Sequence, residues 1–144
     1  FKECTFKGTL LAFKNGEKEK SITLSFAKNV SFINCIFEES VSFRAAIFNA
    51  PVTFQDCSFL KGANFEESSF INEAYFNKTK YGAETRFQNS VFMKKATWMD
   101  ARFEANVSFQ GATFYNDAQF SVAQFARYAD FTLINFQTNP FKTL

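Results

Sequence analysis

Large apolar residues recur along this chain at a spacing that alternates between five and six residues. From Val30 to Asn139 the sequence divides without gaps into ten units of eleven residues. Position three of each unit is Phe, with Trp98 as the exception, and position eight is Phe, with Tyr81 as the exception. Position one is Val, Ala or Thr, and position six is small in every unit but the last. A fixed period of this kind is the signature of a repeat architecture.

Within each unit, one polar or variable residue separates apolar positions one and three, and another separates positions six and eight. A period of two predicts short extended segments whose alternate side chains point inward. An α-helix does not fit, because steps of five and six residues place successive rings about 140° and 240° apart around a helix axis. Two units supply four segments, so the sequence predicts an all-β parallel β-helix of about 22 residues per coil. Five such coils, stacked about 4.8 Å apart, give a rod roughly 24 Å long with the Phe stacks inside.

Residues 1–29 form a less regular first coil. Positions three, six and eight of a unit are matched by Phe1, Cys4 and Phe6. We expect Leu11 and Phe13 at positions one and three of the next unit, with one extra residue at the corner before Leu11.

A charged insert interrupts this first coil at residues 14–23, and the pattern resumes at Leu24 and Phe26, which match positions six and eight. The Asn-Gly pair inside the insert is a strong turn signal. We therefore expect a single domain over residues 1–144, with the irregular coil at 1–29, the repeats at 30–139 and a tail at 140–144. Because the first residue is Phe rather than Met, we also expect the sequence to be an excerpt of a longer chain.

The three cysteines fall in one inward column once the insert is discounted. Cys35 and Cys57 lie one predicted coil apart, and Cys4 takes the equivalent place in the first coil. No CxxC spacing and no His is present, so the sequence predicts neither a metal site nor a redox site. We expect buried free thiols, which favour a reducing compartment and hence a cytoplasmic protein.

The composition predicts no enzyme, because a chain without His has no Ser/His or Cys/His nucleophilic site. Close-packed rings are expected to leave no internal ligand pocket, and no cofactor is expected. Acidic pairs such as Glu66-Glu67 fall at corners, where adjacent carboxylates serve solubility. The charges, 16 basic and 14 acidic, indicate no nucleic-acid partner. No apolar run reaches the roughly 18 residues that a membrane span requires, so no membrane contact is expected within this segment.

Several stretches place a small residue two positions before a central Phe, as in Ala112-Thr113-Phe114 and Ala118-Gln119-Phe120. This pattern resembles the pentapeptide-repeat proteins, whose motif is A(D/N)LXX, and in particular a Phe-rich subclass. The resemblance implies a right-handed quadrilateral β-helix with both the Phe and the small residue inside. The chain departs from the family motif because Asp and Asn are rare before the central Phe. Alternate corners also carry an extra residue, which makes the coil longer than the family's usual four pentapeptides and leaves the turn types unpredicted.

The resemblance implies a non-enzymatic structural or protein-interaction scaffold of bacterial type, with an unknown protein partner. Two alternatives stay open: a DNA-mimic modulator of a type II topoisomerase, and the soluble domain of a membrane protein, since relatives of this type often carry transmembrane segments downstream. Family members that mimic DNA present a strongly acidic rod. Here one outward column is neutral: Ser31, Thr53, Tyr75, Thr97 and Gln119. The next is mixed: Ser42, Asn64, Arg86, Ser108 and Asp130.

One corner column stands out for its apolar residues. Position nine of alternate units places Ile71, Met93 and Tyr115 on successive coils, between Asn49 and Gln137. These three residues are a candidate protein-contact ridge. The alternative is that corner side chains lie back over the coil. Open Phe stacks and exposed strand edges also favour a homodimer through the coil ends, as in some family members.

Overall fold

The computed structural model describes residues 1–11 and 24–137, and all the regular secondary structure in these residues is β-strand. Twenty-three short strands pair in parallel and form four sheets. We name the sheets faces A, B, C and D, in the order in which the chain visits them from Val30 onward.

The strands of the four faces alternate along the chain. Face A consists of β4 (Val30–Ile33), β8 (Val52–Gln55), β12 (Ala74–Tyr75), β16 (Ala96–Thr97) and β20 (Ala118–Gln119). Face B consists of β1 (Thr5–Phe6), β5 (Ile36–Phe37), β9 (Ser58–Phe59), β13 (Lys80–Tyr81), β17 (Arg102–Phe103) and β21 (Gln124–Phe125).

The remaining strands form the other two sheets. Face C consists of β2 (Leu10–Leu11), β6 (Val41–Ser42), β10 (Ala63–Asn64), β14 (Thr85–Arg86), β18 (Val107–Ser108) and β22 (Ala129–Asp130). Face D consists of β3 (Ser25–Phe26), β7 (Ile47–Phe48), β11 (Ser69–Phe70), β15 (Val91–Phe92), β19 (Thr113–Phe114) and β23 (Asn135–Phe136).

The register of the ladder confirms the 22-residue coil. Phe70 is the partner of both Phe48 and Phe92, which lie one period of two units before and after it in the sequence. The Ile71 N–H donates to the Phe48 carbonyl of the preceding coil, at 2.9 Å. The Phe65 N–H donates instead to the Arg86 carbonyl of the following coil, at 2.7 Å. Each coil is therefore bonded to both neighbours, and the predicted all-β quadrilateral solenoid of about five coils is confirmed.

Positions three and eight form four inward columns in which successive ring centroids are 4.6–5.6 Å apart and ring planes differ by 1–22°. The first column is Phe1, Phe32, Phe54, Phe76, Trp98 and Phe120. The second is Phe6, Phe37, Phe59, Tyr81, Phe103 and Phe125. The third is Phe43, Phe65, Phe87, Phe109 and Phe131. The fourth is Phe26, Phe48, Phe70, Phe92, Phe114 and Phe136.

Rings of different columns meet edge to face, as Phe65 and Phe76 do at 5.4 Å and 74°. Offset-stacked and edge-to-face pairs are the two favourable arrangements of aromatic rings, each worth roughly 0.5–1.5 kcal/mol beyond area burial. The interior of the solenoid is therefore held both along and across its axis.

The two-residue corners turn at position five, which takes a left-handed backbone in every coil: Glu3, Asn34, Ala45, Asp56, Glu67, Lys78, Asn89, Asp100, Gly111, Val122 and Leu133. At six of these corners the N–H of position six donates to the carbonyl of position three, as Ala46 does to Phe43 at 3.0 Å. A positive φ at the third turn residue alone is the pattern of a type II turn. The Ala45 N–H also donates to the Glu66 carbonyl of the next coil, at 2.9 Å. The ladder thus holds non-glycine residues in a conformation that costs them about 1 kcal/mol or more.

The first coil differs from the expectation in its register. Leu10, and not Leu11, occupies position one, because Leu10 is the ladder partner of Val41. The predicted extra residue before Leu11 was therefore wrong. Two adjacent leucines offer two registers, and the ladder selects the one in which the Leu10 N–H donates to the Ser40 carbonyl, at 3.3 Å.

Phe26 pairs with Phe48, as predicted for position eight. By the ladder register, Leu10 is equivalent to Val41 of the next coil, and Leu24 is equivalent to Ala46. Because the segment from Leu10 to Leu24 is much longer than the segment from Val41 to Ala46, the extra residues of the first coil lie between Leu10 and Leu24. Phe13, the insert at 14–23 and the tail at 140–144 lie outside the described residues.

Polar groups at position six complete the core. The hydroxyls of Ser68 and Thr79 donate to position-three carbonyls of the preceding coil, each at 2.7 Å. The Cys57 thiol donates to the equivalent carbonyl of Phe32 at 3.3 Å. Cys35 is buried above it in the same column, as predicted, and partly buried Cys4 comes next. Burial raises the pKa of the Cys57 thiol to about 12. Thiols serve here as small hydrogen-bonding core groups.

Replacing Phe87 with Ala tests the buried columns. Phe87 is fully buried and stacks on Phe65 at 4.9 Å and on Phe109 at 4.8 Å. We expect Phe87→Ala to lower the free energy of unfolding by about 3–5 kcal/mol in urea titrations, because it deletes a ring that neighbours cannot replace. Exposed Gln110→Ala, the control, is expected to change it by under about 0.5 kcal/mol. A loss below about 1 kcal/mol for Phe87→Ala would show that this column does not lie inside.

Alkaline pH tests the burial of Cys57. Because the folded state raises the pKa of this thiol from about 9 to about 12, the unfolded state binds fewer protons between these pH values. Stability is then lost as pH rises above 9, by about 1.4 kcal/mol per pH unit for this group. We expect urea titrations in reductant at pH 8–11 to show a shallower decline for Cys57→Ser, which keeps a hydrogen-bond donor. Identical pH profiles for the two proteins would contradict the burial of this thiol.

Candidate interaction surface

The solenoid interior offers almost no room for chemistry. Ring and small-residue columns between Phe32 and Phe114 are at most 5% exposed. Two interior polar atoms, the Tyr81 hydroxyl and Trp98 Nε1, have no hydrogen-bond partner among the described residues. Burial also raises the pKa of the Tyr81 hydroxyl well above its ordinary value. A tyrosinate at Tyr81 and a thiolate at Cys57 are therefore unavailable near neutral pH.

One apolar cavity of about 280 Å³ lies at the N-terminal end. Among the described residues the third column starts at Phe43, whereas the other three columns have a ring in the first coil. By the register of Leu10, position three of that unit is Ala12, which lies outside the described residues. The prediction of a fully filled interior is therefore wrong at this end of the solenoid. The cavity lining consists of Phe1, Phe6, Leu10, Leu24, Phe26, Val30, Phe32 and Phe43.

The structure brings the candidate ridge residues Ile71, Met93 and Tyr115 together at the corner between faces D and A. Each N–H donates to a position-eight carbonyl of the preceding coil at 2.9 Å, so the three residues lie directly above one another. Ile71 is 41% exposed, whereas Met93 and Tyr115 are half-buried. The three side chains therefore lie partly over the coil and form an apolar strip, and contact of this strip with a protein stays a prediction.

Face D extends this strip, because its outward side chains carry no charge in the described part of the chain. The position-seven side chains are Ser25, Ile47, Ser69, Val91, Thr113 and Asn135. The position-nine side chains are Asn49, Ile71, Met93, Tyr115 and Gln137. The result is an uncharged sheet face with its largest apolar side chains in the middle coils.

Charged side chains border face D on both sides. Lys94, Lys95 and Glu73 occupy the D–A corner, and Glu67 occupies the C–D corner. The Glu67 carboxylate accepts a hydrogen bond from Arg44 Nη2 at 2.8 Å. That bond and the negative charge of Glu67 raise the pKa of the Arg44 guanidinium. An uncharged centre with a charged rim is the usual composition of a protein contact surface.

The sequence interpretation missed a depression at the corner between faces B and C. Small residues form part of its lining, notably Gly62 and Ala105, whereas the periodic pattern of the sequence is a pattern of large residues. The sequence signal for this depression is position ten of alternate units, which is Ala in two consecutive coils.

In residues 1–11 and 24–137, no cluster of three or more His, Cys, Asp or Glu side chains has a geometry that could hold a metal ion. No helix in the same residues is long and apolar enough to cross a bilayer.

Comparison with known proteins gives one family match, to the model described as pentapeptide repeats (9 copies), over residues 25–69. Curated proteins give no sequence match. Among solved structures, a trypsin-treated form of QnrB1, a plasmid-mediated fluoroquinolone resistance protein, is 13% identical over 83% of this chain and 92% of that chain, with a TM-score of 0.26. This TM-score is too low to indicate a shared three-dimensional path. Residues 25–69 thus match the pentapeptide-repeat family, and the four-faced solenoid of the structure continues beyond them.

Proposed function

We propose that this protein is a non-enzymatic scaffold module that binds an uncharged, apolar surface of a protein partner through face D. The observation that carries the proposal is the uncharged outward side of this face, with Ile71, Met93 and Tyr115 as its apolar strip. A charged partner surface would lose hydration here without gaining an ion pair. An apolar partner surface loses little and gains buried area.

The size of the face indicates a modest contact. Six strands about 4.8 Å apart span roughly 24 Å along the solenoid axis. A strip of this length lies at the small end of specific interfaces, below about 1,200 Å² in total, where transient complexes are found. Half-buried Met93 and Tyr115 are already ordered by the coil, which lowers the entropy cost of binding.

The alternatives from the sequence gain no specific support. A DNA mimic needs a dense acidic surface, whereas this chain has a net charge of +2 and an uncharged face D. Attachment to a membrane-spanning segment stays a prediction that the full-length sequence decides. A reducing, cytoplasmic location likewise stays a prediction from the thiols.

Charge insertion on the ridge tests the proposed contact. Immobilised wild type, Ile71→Lys/Met93→Lys and the control Gln110→Lys are exposed to extract from the native cells, and captured proteins are identified by mass spectrometry. We expect at least one protein retained by wild type and control to fall about tenfold with the ridge variant, because a lysine in the apolar strip is desolvated without a partner. The purified candidate must then bind wild type directly.

Identical captured sets for all three proteins would contradict the use of face D. Circular dichroism of each variant separates loss of binding from loss of folding. Gln110 is exposed at the C–D corner, on the charged rim at the other edge of face D from the ridge, which makes it the matched control for charge added outside the apolar strip.

Association through the coil ends, also suggested by the sequence, is a separate proposal that sedimentation equilibrium can test. Phe136 is 69% exposed on the last described coil, and stacking against a second copy would cover it. We expect a dimer for wild type and for Ile71→Lys, and a monomer for Phe136→Asp. Wild type that stays monomeric across the accessible concentration range would contradict the proposal.

A further inference from the structure

The corner between faces B and C carries several small residues in the middle coils. In positions nine to eleven these are Gly62, Gly82, Ala83 and Ala105, which lie between larger side chains such as Leu60 and Glu104. Two depressions, of about 250 and 480 Å³, adjoin there and share Glu84. Together they form a groove that runs along the solenoid axis, which we call the B–C groove.

Backbone forms part of the floor of this groove. Gly62 has a φ of +78°, and a Cβ there would collide with the Glu84 carbonyl of the next coil. A Cβ on Gly82 would lie 2.9 Å from the Leu60 carbonyl oxygen. The two glycines therefore allow adjacent coils to approach each other closely, and they keep the groove free of side chains at its centre.

Position ten of alternate units forms one column at this corner, Glu39, Lys61, Ala83, Ala105 and Arg127, of which Lys61, Ala105 and Arg127 line the two depressions. Two exposed basic side chains thus stand at the ends of the groove, separated by two alanines, and Glu39 lies one coil beyond Lys61. The stacking of this column follows from the neighbouring ladder, in which Gly82 N–H bonds to the Phe59 carbonyl of the coil before, at 2.9 Å.

The charges of the groove are only partly compensated. The Glu84 carboxylate pairs with Arg86 at 2.8 Å, and the Glu104 carboxylate pairs with Lys80 at 3.0 Å. Neither Lys61 nor Arg127 has an ion pair among the described residues. Both lining carboxylates are therefore satisfied within the chain, and two positive charges remain open to a ligand.

We propose that the B–C groove binds an extended acidic segment of a partner protein, with carboxylates at positions i and i+4. Lys61 and Arg127 are three coils apart, or about 14 Å along the axis. Four residues of extended chain cover about 13 Å, and residues i and i+4 point to the same side. The two carboxylates meet Lys61 and Arg127, and the small side chains between them lie over Ala83 and Ala105.

A peptide fits this charge distribution better than a nucleic acid does. Nucleic-acid sites combine a continuous stripe of cations with stacking aromatic side chains. The B–C groove has two isolated open cations with paired carboxylates between them. Exposed ion pairs are individually weak and are screened by salt, so the binding is expected to be weak and to decrease with ionic strength.

A fluorescent seven-residue peptide tests the proposal, with Glu at its second and sixth positions and Ser or Gly elsewhere. Its anisotropy is titrated with the full chain at low salt. We expect saturable binding that weakens about tenfold in Lys61→Gln/Arg127→Gln. The control Lys94→Gln/Lys95→Gln removes the same charge at the D–A corner and is expected to change the affinity by less than about twofold. A peptide with Glu at its second and fifth positions, on opposite sides of an extended chain, is expected to bind several-fold more weakly.

Three outcomes would overturn the proposal: no saturable binding of the spaced peptide, equal weakening by both double variants, or tighter binding of a single-stranded oligonucleotide of equal charge. Ile71→Lys/Met93→Lys, on the far side of the coil, is expected to bind the peptide like wild type. The proposal for the B–C groove and the proposal for face D can therefore be contradicted independently.

Discussion

The structure depends on one coincidence of distances. Neighbouring parallel strands lie about 4.8 Å apart, and offset-stacked aromatic rings interact favourably at nearly the same centroid separation. A ring at position three or eight of every unit is therefore in contact with the rings above and below it whenever the backbone ladder is in register. Ladder and rings thus favour the same 22-residue coil, and each reinforces the other.

This constraint explains what the interior accepts. Trp98 and Tyr81 are the two replacements for Phe, both planar rings, and both stack in place with interplanar angles of 7° or less. Their polar atoms have no partner, which costs roughly 1–3 kcal/mol each. Stacking on two neighbours and edge contacts with others offset that cost. The polar groups at position six are different, because each donates to a backbone carbonyl, of the preceding coil for Ser68 and Thr79 and of the same coil for Ser90.

A filled interior leaves the outer columns to determine function. Since every position recurs once per coil, a surface feature is a column and not a local motif. Face D is distinctive because its two uncharged outward columns carry the apolar strip of Ile71, Met93 and Tyr115, and the B–C groove because small residues such as Ala83 and Ala105 follow one another at its corner. Ridge and groove lie on different sides of the coil, so one solenoid presents an apolar surface and a cationic groove at the same time.

Much of this arrangement could be predicted from the sequence. The period gave the coil length, the four ring columns, the cysteine column and the position of Ile71, Met93 and Tyr115. It did not predict the left-handed corners, because Ala45, Lys78 and Val122 have no preference for a positive φ. They adopt this conformation because the hydrogen bonds between coils require it. It led to Leu11 instead of Leu10 at position one, since both residues are apolar. It also did not reveal the groove, which arises from short side chains and close backbone approach at Gly62.

The lone Trp98 allows the most direct test of the 22-residue coil. In nuclear Overhauser spectra of protein with labelled Phe rings, we predict contacts from the indole to Phe76 and Phe120, one coil before and after it. We also predict contacts to the perpendicular rings of Phe87, Phe92, Phe109 and Phe114. Indole contacts to rings outside this set, or rapid exchange of the Nε1 proton with water, would contradict the stacked, 22-residue solenoid.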